Sequence, residues 1–185
     1  VRMTSAARFR VFRIISFDFC ALNGSRKHQK KVTEKLRFFI LIKYFLKQAV
    51  KADTNRSELK AKLNLDPGRP IILYASKFLE RKRPTDLVEA FARLKKDKKN
   101  RNPYLFMVGD GQTRKALERQ VKTLDIEESV CFYGFLNQSD LPRFYNLCVV
   151  FVLPSFIEPW GLVLNEVMNA GRAIVASDQV GAVFD

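Results

Sequence analysis

The stretch EPWGLVLNE places two carboxylates, Glu158 and Glu166, around a Pro-Trp-Gly turn and the start of an apolar run. The spacing of that run predicts a helix that begins near Gly161. The first backbone amides of a helix lack intrahelical partners, and the positive end of the helix dipole lies behind them. An elongated anionic ligand would suit this layout, with a hydroxyl-rich group near each carboxylate, because a carboxylate can accept two donors at once.

The two carboxylates also have a structural explanation that involves no ligand. Glu158 could merely complement the helix dipole, and Glu166, about 7.5 Å along the helix axis from Gly161, could face water. For two glutamates alone this explanation is the simpler one. The choice therefore depends on which other groups the fold brings to the same place.

A cluster of positive charge follows the first predicted strand. The loop SKFLERKRP contains Lys77, Arg81, Lys82 and Arg83. Cations at the carboxyl end of a strand, just before a helix, are well placed to bind a phosphate group. A solvated basic loop is the alternative, because runs of charge are mostly surface features.

The turn GDGQTR, which begins at Gly109, is a weaker signal. It differs from the dinucleotide-binding fingerprint because Arg114 occupies the position of the third glycine. Gly111 still allows the backbone to approach a ligand or the start of a helix closely. An ordinary turn between a strand and a helix is the favoured interpretation.

These residues need a scaffold, and the rest of the chain predicts one in which strands and helices alternate. Short apolar runs predict buried strands at residues 70–76, 104–111, 129–135, 149–155 and 173–178, and helical spacing predicts helices at residues 84–99, 114–123, 139–147 and 161–171. This alternation predicts an α/β fold, a Rossmann-like parallel sheet with helices on both faces.

Ligands of such sheets bind at the carboxyl ends of the strands, where the strand order reverses. The rule selects four loops, at residues 76–83, 109–112, 134–139 and 155–161. The lysine loop and Glu158 are therefore expected at one edge of the sheet.

The net charge divides the chain into two parts. The 185 residues carry a formal charge of +14, and residues 1–50 hold 12 lysines and arginines against 2 acids, a net of +10. The other 135 residues hold 21 against 17, a net of +4. We predict a basic, partly helical N-terminal segment at residues 1–50 and a separate domain at residues 51–185.

Cysteine and histidine usage argues against disulfides and metal chemistry. Cys20, Cys131 and Cys148 are far apart and form no CxxC pair, so a reducing, cytoplasmic environment is expected. His28 is the only histidine, and a metal site or a Ser-His-Asp triad would need others. We therefore predict no metal and no cofactor.

No stretch of the sequence reaches the roughly 18–20 consecutive apolar residues that a membrane-spanning helix needs. The best candidate, residues 36–50, is interrupted by Lys43 and Lys47 and is better interpreted as an amphipathic or partly buried helix. Residues 1–17 carry four arginines and no acid, as organelle transit peptides do, but a chain that begins with Val1 is equally consistent with a fragment.

One α/β domain thus combines a Lys/Arg loop after its first strand, a Gly-Asp-Gly turn and two glutamates around a helix that begins with glycine. This combination resembles the C-terminal, donor-binding domain of the retaining GT-B glycosyltransferases, specifically the GT4-like group. The resemblance covers about residues 57–185 and lies in ILYASKFLERKRPTDLVEAFARL, FMVGDGQTRKALE and VCFYGFLNQSDLPRFYNLCVVFVLPSFIEPWGLVLNEVMNAGRAIVASDQVGAVFD. It implies that residues 51–185 are half of a GT-B glycosyltransferase and bind a nucleoside-diphosphate sugar. The reaction implied is transfer to a hydroxyl acceptor, a glycan or lipid-linked sugar, with retention of the anomeric configuration.

The resemblance also implies roles for particular residues. Lys77 and Lys82 would hold the donor's diphosphate and stabilise the departing nucleotide, and Glu158 would contact the sugar hydroxyls. These three are the implied catalytic residues, and enzymes of this group need no metal. Glu166 would accept the ribose hydroxyls, and Gly161 and Leu162 would offer backbone amides. The other implied donor contacts are Ser76, Gly109 and Gly111.

Several features depart from the family pattern. Ser76 stands where a glycine is usual, Cys148 where an aspartate is common, and Ala173 where a proline is common. Residues 1–50 do not resemble the acceptor-binding domain of these enzymes, and the family continues beyond VGAVFD. We therefore expect a domain truncated at both ends, incomplete at its C-terminus, with little or no transferase activity alone.

A second hypothesis assigns the function to residues 1–50. Arginine and phenylalanine alternate there, as in Arg8, Phe9 and Arg10, and could bind anionic lipid or nucleic acid without catalysis. For the enzyme itself, the same basic face could dock to an anionic membrane that carries a lipid-linked acceptor. Nucleic acid is the less favoured partner.

Overall fold

The computed structural model describes residues 60–97 and 101–183 of the chain. Within them the order of strands and helices is the one that the sequence predicts. The strands are β1 (Ile71–Ala75), β2 (Tyr104–Val108), β3 (Val130–Gly134), β4 (Val150–Leu153) and β5 (Ala173–Ala176). The α-helices are α1 (Pro84–Lys96), α2 (Arg114–Thr123), α3 (Leu141–Leu147) and α4 (Val163–Asn169), with single turns of 3-10 helix at Glu80–Lys82, Glu127–Ser129 and Gly181–Val183.

The five strands form one parallel sheet in the order β3-β2-β1-β4-β5. The chain builds the sheet outward from β1 to β3 and then returns to place β4 on the other side of β1. Ile72 pairs with Val150, and Leu73 pairs with Phe151. The strand order thus reverses between β1 and β4, and doubly wound sheets bind ligands at such a point.

Helices cover both faces of the sheet, which confirms the predicted architecture. Helices α1 and α2 pack on one face through side chains such as Phe91 and Leu117, and α3 and α4 pack on the other through Tyr145 and Leu164. Strands β1, β2 and β4 are buried throughout, which explains their continuous apolar sequences. Full burial of a side chain such as Phe91 contributes about 1.5–3 kcal/mol, so this core fixes the ends of the strands firmly.

The predicted boundaries need correction at the carboxyl ends of the strands and at α4. Residues after each strand, such as Pro154 and Ser155 after β4, belong to loops. The helix expected near Gly161 begins at Val163, because Gly161 has a φ of +86°, which an α-helix does not accommodate. Glu166 therefore lies on the first turn of α4.

The predicted N-terminal segment, residues 1–50, lies outside the described residues. Its helix, its basic face and the binding function of the second hypothesis stay predictions, as does the domain boundary at residue 51. Among the helices of the described ranges, none has the length and apolar character needed to cross a bilayer.

Candidate functional site

Two loops meet at the carboxyl edge of the sheet, where the strand order reverses. One follows β1 and the other follows β4, and Arg81 joins them. The Phe156 amide donates to the Arg81 carbonyl at 2.7 Å, and Arg81 Nη1 donates to the Ile157 carbonyl at 3.2 Å. The Arg83 guanidinium also lies over the Phe156 ring, 4.9 Å from its centre. The cations of the first loop are therefore held against the second loop.

Lys82 and Glu158 form an ion pair across this junction. Their side chains are only 11% and 13% exposed. Burial lowers the pKa of Lys82 to about 8, and the charges of Arg81 and Lys77 act in the same direction. The two groups predicted for the phosphate and for the sugar are thus in direct contact, and the lysine loses its proton near pH 8 instead of near pH 10.5.

The backbone around Glu158 is fixed by the segment that follows β5. The Glu158 amide donates to the Gln179 carbonyl at 3.1 Å, and the Gly181 amide donates to the Glu158 carbonyl at 3.0 Å. A Cβ at Gly181 would lie 2.1 Å from the Pro159 carbonyl oxygen, so only glycine permits this approach. The loop that carries the carboxylate is therefore held by the residues after β1 on one side and by the residues after β5 on the other.

Ser76 and Lys77 begin the loop after β1. The Ser76 amide donates to the Val108 carbonyl at 3.1 Å, which continues the pairing of β1 with β2 by one residue. The Lys77 side chain is exposed, and its charge is close enough to Lys82 to lower the pKa of that residue. Lys77 is therefore available to a ligand at the edge of the crevice.

The two glycines of the GDG turn contact the protein's own backbone. A Cβ at Gly109 would lie 2.1 Å from the Ser76 carbonyl oxygen, and a Cβ at Gly111 would lie 2.7 Å from the Phe78 carbonyl oxygen. The Phe78 amide donates to the Asp110 carbonyl at 2.8 Å. This packing alone accounts for both glycines, and it positions the backbone of the lysine loop.

Gly161 and Leu162 form the entrance to α4. A Cβ at Gly161 would lie 2.6 Å from Val180 Cγ1, so its φ of +86° and the close packing both favour glycine. Leu162 precedes the helix as its N-cap residue, and the residue is 67% exposed. Their predicted amide contacts with a ligand stay predictions.

Glu166 is exposed, but its carboxylate has a partner that the sequence did not indicate. The Tyr145 hydroxyl donates to Glu166 Oε2 at 2.7 Å. Burial raises the pKa of Tyr145 above its usual range, and the hydrogen bond to Glu166 raises it further. The phenol therefore stays protonated and acts as a donor.

Two residues of the site could not be identified from spacing. Arg81 appeared only as one of several loop cations, and Tyr145 only as part of the helix predicted at residues 139–147. The stretch SFIEPWGL did contain a visible signal in its large apolar residues. Phe156, Ile157 and Trp160 are exposed beside Glu158, and exposed aromatic side chains in a loop commonly contact a ligand or partner.

Residues 60–97 and 101–183 contain no group of three or more His, Cys, Asp or Glu side chains that could hold a metal ion.

Comparison with known proteins gives consistent matches to residues in this domain. The family model described as Glycosyl transferases group 1 matches residues 55–184. Alpha-D-kanosaminyltransferase of Streptomyces kanamyceticus is 33% identical over 132 residues, which cover 70% of this chain and 33% of that protein. The chain spans about a third of the length of the curated relatives it matches.

Solved structures show the same fold. The structure of HepE from Anabaena in complex with UDP and glucose aligns with a TM-score of 0.61 at 25% identity, over 74% of this chain and 37% of that chain. A sucrose-phosphate synthase from Thermosynechococcus elongatus aligns with a TM-score of 0.60 at 31% identity, over 69% of this chain and 32% of that chain.

Proposed function

The chain belongs to the glycosyl transferases group 1 family, and we therefore propose that it binds the nucleoside-diphosphate sugar donor of such an enzyme. The diphosphate lies in the crevice between β1 and β4, the sugar lies near Glu158, and the ribose lies near Glu166. One observation carries the proposal: Lys82 and Glu158 meet in that crevice, so the groups for both ends of a sugar–diphosphate linkage are adjacent.

The chemistry of these residues suits transfer of a sugar. The reaction breaks the bond between the anomeric carbon and the phosphate oxygen, and the electron pair leaves with the nucleoside diphosphate. The acceptor oxygen forms the new bond to the anomeric carbon, and its proton passes to the departing diphosphate. Lys77 and Lys82 offset the charge that develops on this leaving group, which is the largest single contribution in many such steps. The two ammonium groups supply this charge without a metal ion in our proposal.

The acceptor side of the reaction is inferred from the family. The acceptor is a hydroxyl group on a glycan or lipid-linked sugar, and the anomeric configuration is retained. A cytoplasmic location, with peripheral contact with an anionic membrane, belongs to the same proposal. The complex of HepE with UDP and glucose supports a uridine nucleotide as the first donor to test.

A thermal denaturation experiment on the full 185-residue chain tests the proposal. The midpoint is measured with and without UDP, ADP, GDP and CDP, for the parent, Lys82→Met and the control Lys122→Met, whose exposed lysine lies on α2. A ligand that binds only the folded state stabilises it by about 2.7 kcal/mol at a hundredfold excess over its Kd. We expect one nucleotide to raise the midpoint of the parent and the control, and to raise that of Lys82→Met by about half as much or less.

Two results would count against the proposal. A cooperative melt that responds to none of the four nucleotides contradicts nucleotide binding by this domain. A midpoint shift that survives unchanged in Lys82→Met places the diphosphate outside the crevice between β1 and β4.

A further inference from the structure

Tyr145 connects the buried face of α3 to the candidate ribose site on α4. Its hydroxyl donates to Glu166 Oε2 at 2.7 Å, while the residue as a whole is only 2% exposed. The carboxylate belongs to an exposed residue of the first helical turn. A buried side chain therefore reaches the one exposed carboxylate that the proposed function assigns to the ribose.

The ring of Tyr145 is held rigidly, so its hydroxyl has a fixed position. The ring packs edge-on against Phe151 of β4, with the ring centres 6.4 Å apart and the planes at 84°. The backbone of the same turn is closed by Cys148, whose amide donates to the Phe144 carbonyl at 3.1 Å. Such packing in the core allows few alternative rotamers, and the hydroxyl can therefore orient the glutamate.

The hydrogen bond also places the two oxygens of the Glu166 carboxylate in different surroundings. Oε2 accepts from Tyr145, whereas Oε1 has no hydrogen bond within the described part of the chain. An exposed glutamate would otherwise sample several rotamers and lose that freedom on binding a ligand. A carboxylate that is already oriented by one oxygen can accept a ligand hydroxyl with the other at a smaller entropic cost.

We propose that Tyr145 is a positioning residue of the donor site, which holds Glu166 so that Oε1 accepts a hydroxyl of the donor's ribose. The inference rests on the proposed function, because it takes the ribose site at Glu166 as given. A purely structural alternative is that the hydrogen bond only joins α3 to α4. The two roles predict different effects of removing the Tyr145 hydroxyl. If Tyr145 positions Glu166, the affinity falls only for a ligand that has ribose hydroxyls, whereas a purely structural role makes no such distinction.

The test measures Kd by titration calorimetry on the full chain, with UDP and with 2′,3′-dideoxy-UDP as probes. Tyr145→Phe removes only the hydroxyl, and Tyr133→Phe is the matched control because its ring packs on the same core while its hydroxyl makes no hydrogen bond in the described ranges. We expect Tyr145→Phe to weaken UDP about fivefold, the factor that corresponds to one hydrogen bond of about 1 kcal/mol. Its affinity for the dideoxy probe should equal that of the parent.

A second measurement separates the positioning role from a loss of stability. In a Glu166→Ala background, adding Tyr145→Phe should change the UDP affinity no further, because the carboxylate to be positioned is absent. The inference would be overturned if Tyr145→Phe weakened the binding of UDP and of the dideoxy probe equally, or if it did not weaken the binding of UDP. The proposed function would remain intact in either case as long as the parent binds UDP. Failure of the parent chain to bind UDP, together with a melt that responds to none of the four nucleotides, would overturn both.

Discussion

Lys82 and Glu158 neutralise each other across the crevice between β1 and β4. Each side chain therefore already has a partner of opposite charge before any ligand binds. A diphosphate that binds Lys82 must compete with the carboxylate, and it must also approach a negative charge. Glu158 consequently opposes the binding of a nucleoside diphosphate, even though it is the candidate group for the sugar of a complete donor.

Glu158→Gln should tighten the binding of UDP at pH 6.5. The substitution keeps the shape of the side chain but removes the charge that competes for Lys82, and we expect about a fivefold decrease in Kd, equivalent to about 1 kcal/mol. Lys82→Met should have the opposite effect and raise Kd at least about tenfold, because charge-assisted hydrogen bonds contribute about 1.5–3 kcal/mol. Calorimetric titrations with UDP measure both effects.

Lys122→Met is the control for this pair, since it removes one positive charge from an exposed position on α2. It should leave Kd within about twofold, as expected for a screened surface charge. A weaker UDP complex in Glu158→Gln would show that the carboxylate supports the nucleotide directly and does not compete for the lysine.

Binding of UDP should weaken as the pH rises through about 8. Burial and the charges of Arg81 and Lys77 lower the pKa of Lys82 from 10.5 to about 8, so the ammonium loses its proton there. Titrations between pH 6.5 and 9.5 should show a rise in Kd for the parent. Lys82→Met should lack that step, and a Kd of the parent that stays constant to pH 9.5 would contradict the prediction.

Folding stability should respond to the same group in the opposite direction. Between about pH 8 and 10.5 the unfolded chain keeps the Lys82 proton while the folded chain has lost it. The unfolded state then binds more protons, so this residue makes the free energy of unfolding rise with pH. Urea denaturation of the parent and Lys82→Met at pH 7.5 and 9.5 isolates the contribution, which should be absent in the variant.

The architecture was predictable because it follows from short-range patterns. Apolar runs without alternation indicate strands buried on both faces, and their alternation with helices indicates a parallel sheet. The position of the site then follows from a rule about strand ends and not from any side chain. Lys82 and Glu158 were expected at the same edge for this reason, and the structure brings them into contact.

The individual contacts were not predictable, because they depend on distances between segments far apart in the chain. Nothing in the spacing of α3 indicates that Tyr145 reaches Glu166. Gly111 was expected to allow the backbone to approach a ligand or a helix start closely, but the structure places it against the backbone of Phe78, and it places Gly109 against the backbone of Ser76.

Gly109→Ala should destabilise the domain severely. The new Cβ would lie 2.1 Å from the Ser76 carbonyl oxygen, and a φ of +126° is strained for alanine. Strain and overpacking together should lower the free energy of unfolding by about 2–4 kcal/mol. Gly171→Ala is the control, because its φ of +68° is also unfavourable but no atom lies within 4 Å of the new Cβ.

The control should lose only about 1–2 kcal/mol, the cost of a left-handed conformation for alanine. Urea denaturation measures both variants. Similar losses in the two would mean that the conformation, and not the contact with Ser76, accounts for the glycine at position 109.

Arg69→Lys should weaken the fold without affecting the candidate site. Arg69 lies before β1, at the opposite end of the sheet, where Nε donates to the Asn102 carbonyl at 2.6 Å and Nη2 donates to Ser129 Oγ at 2.7 Å. Its guanidinium also lies 3.6 Å from the centre of the Tyr104 ring. Lysine keeps the charge but cannot reproduce the planar, forked donor, so we expect a loss of about 1–2 kcal/mol in urea denaturation.

The Kd for UDP should remain within about twofold of the parent in Arg69→Lys, because the sheet separates this network from the crevice and changes at distant sites are usually independent. Arg119→Lys, on an exposed position of α2, is the matched control and should change neither stability nor Kd. An unchanged stability in Arg69→Lys would show that charge alone accounts for this network. A marked change in Kd would show that the two ends of the sheet are coupled, and the stability and binding roles could then no longer be assigned to separate edges.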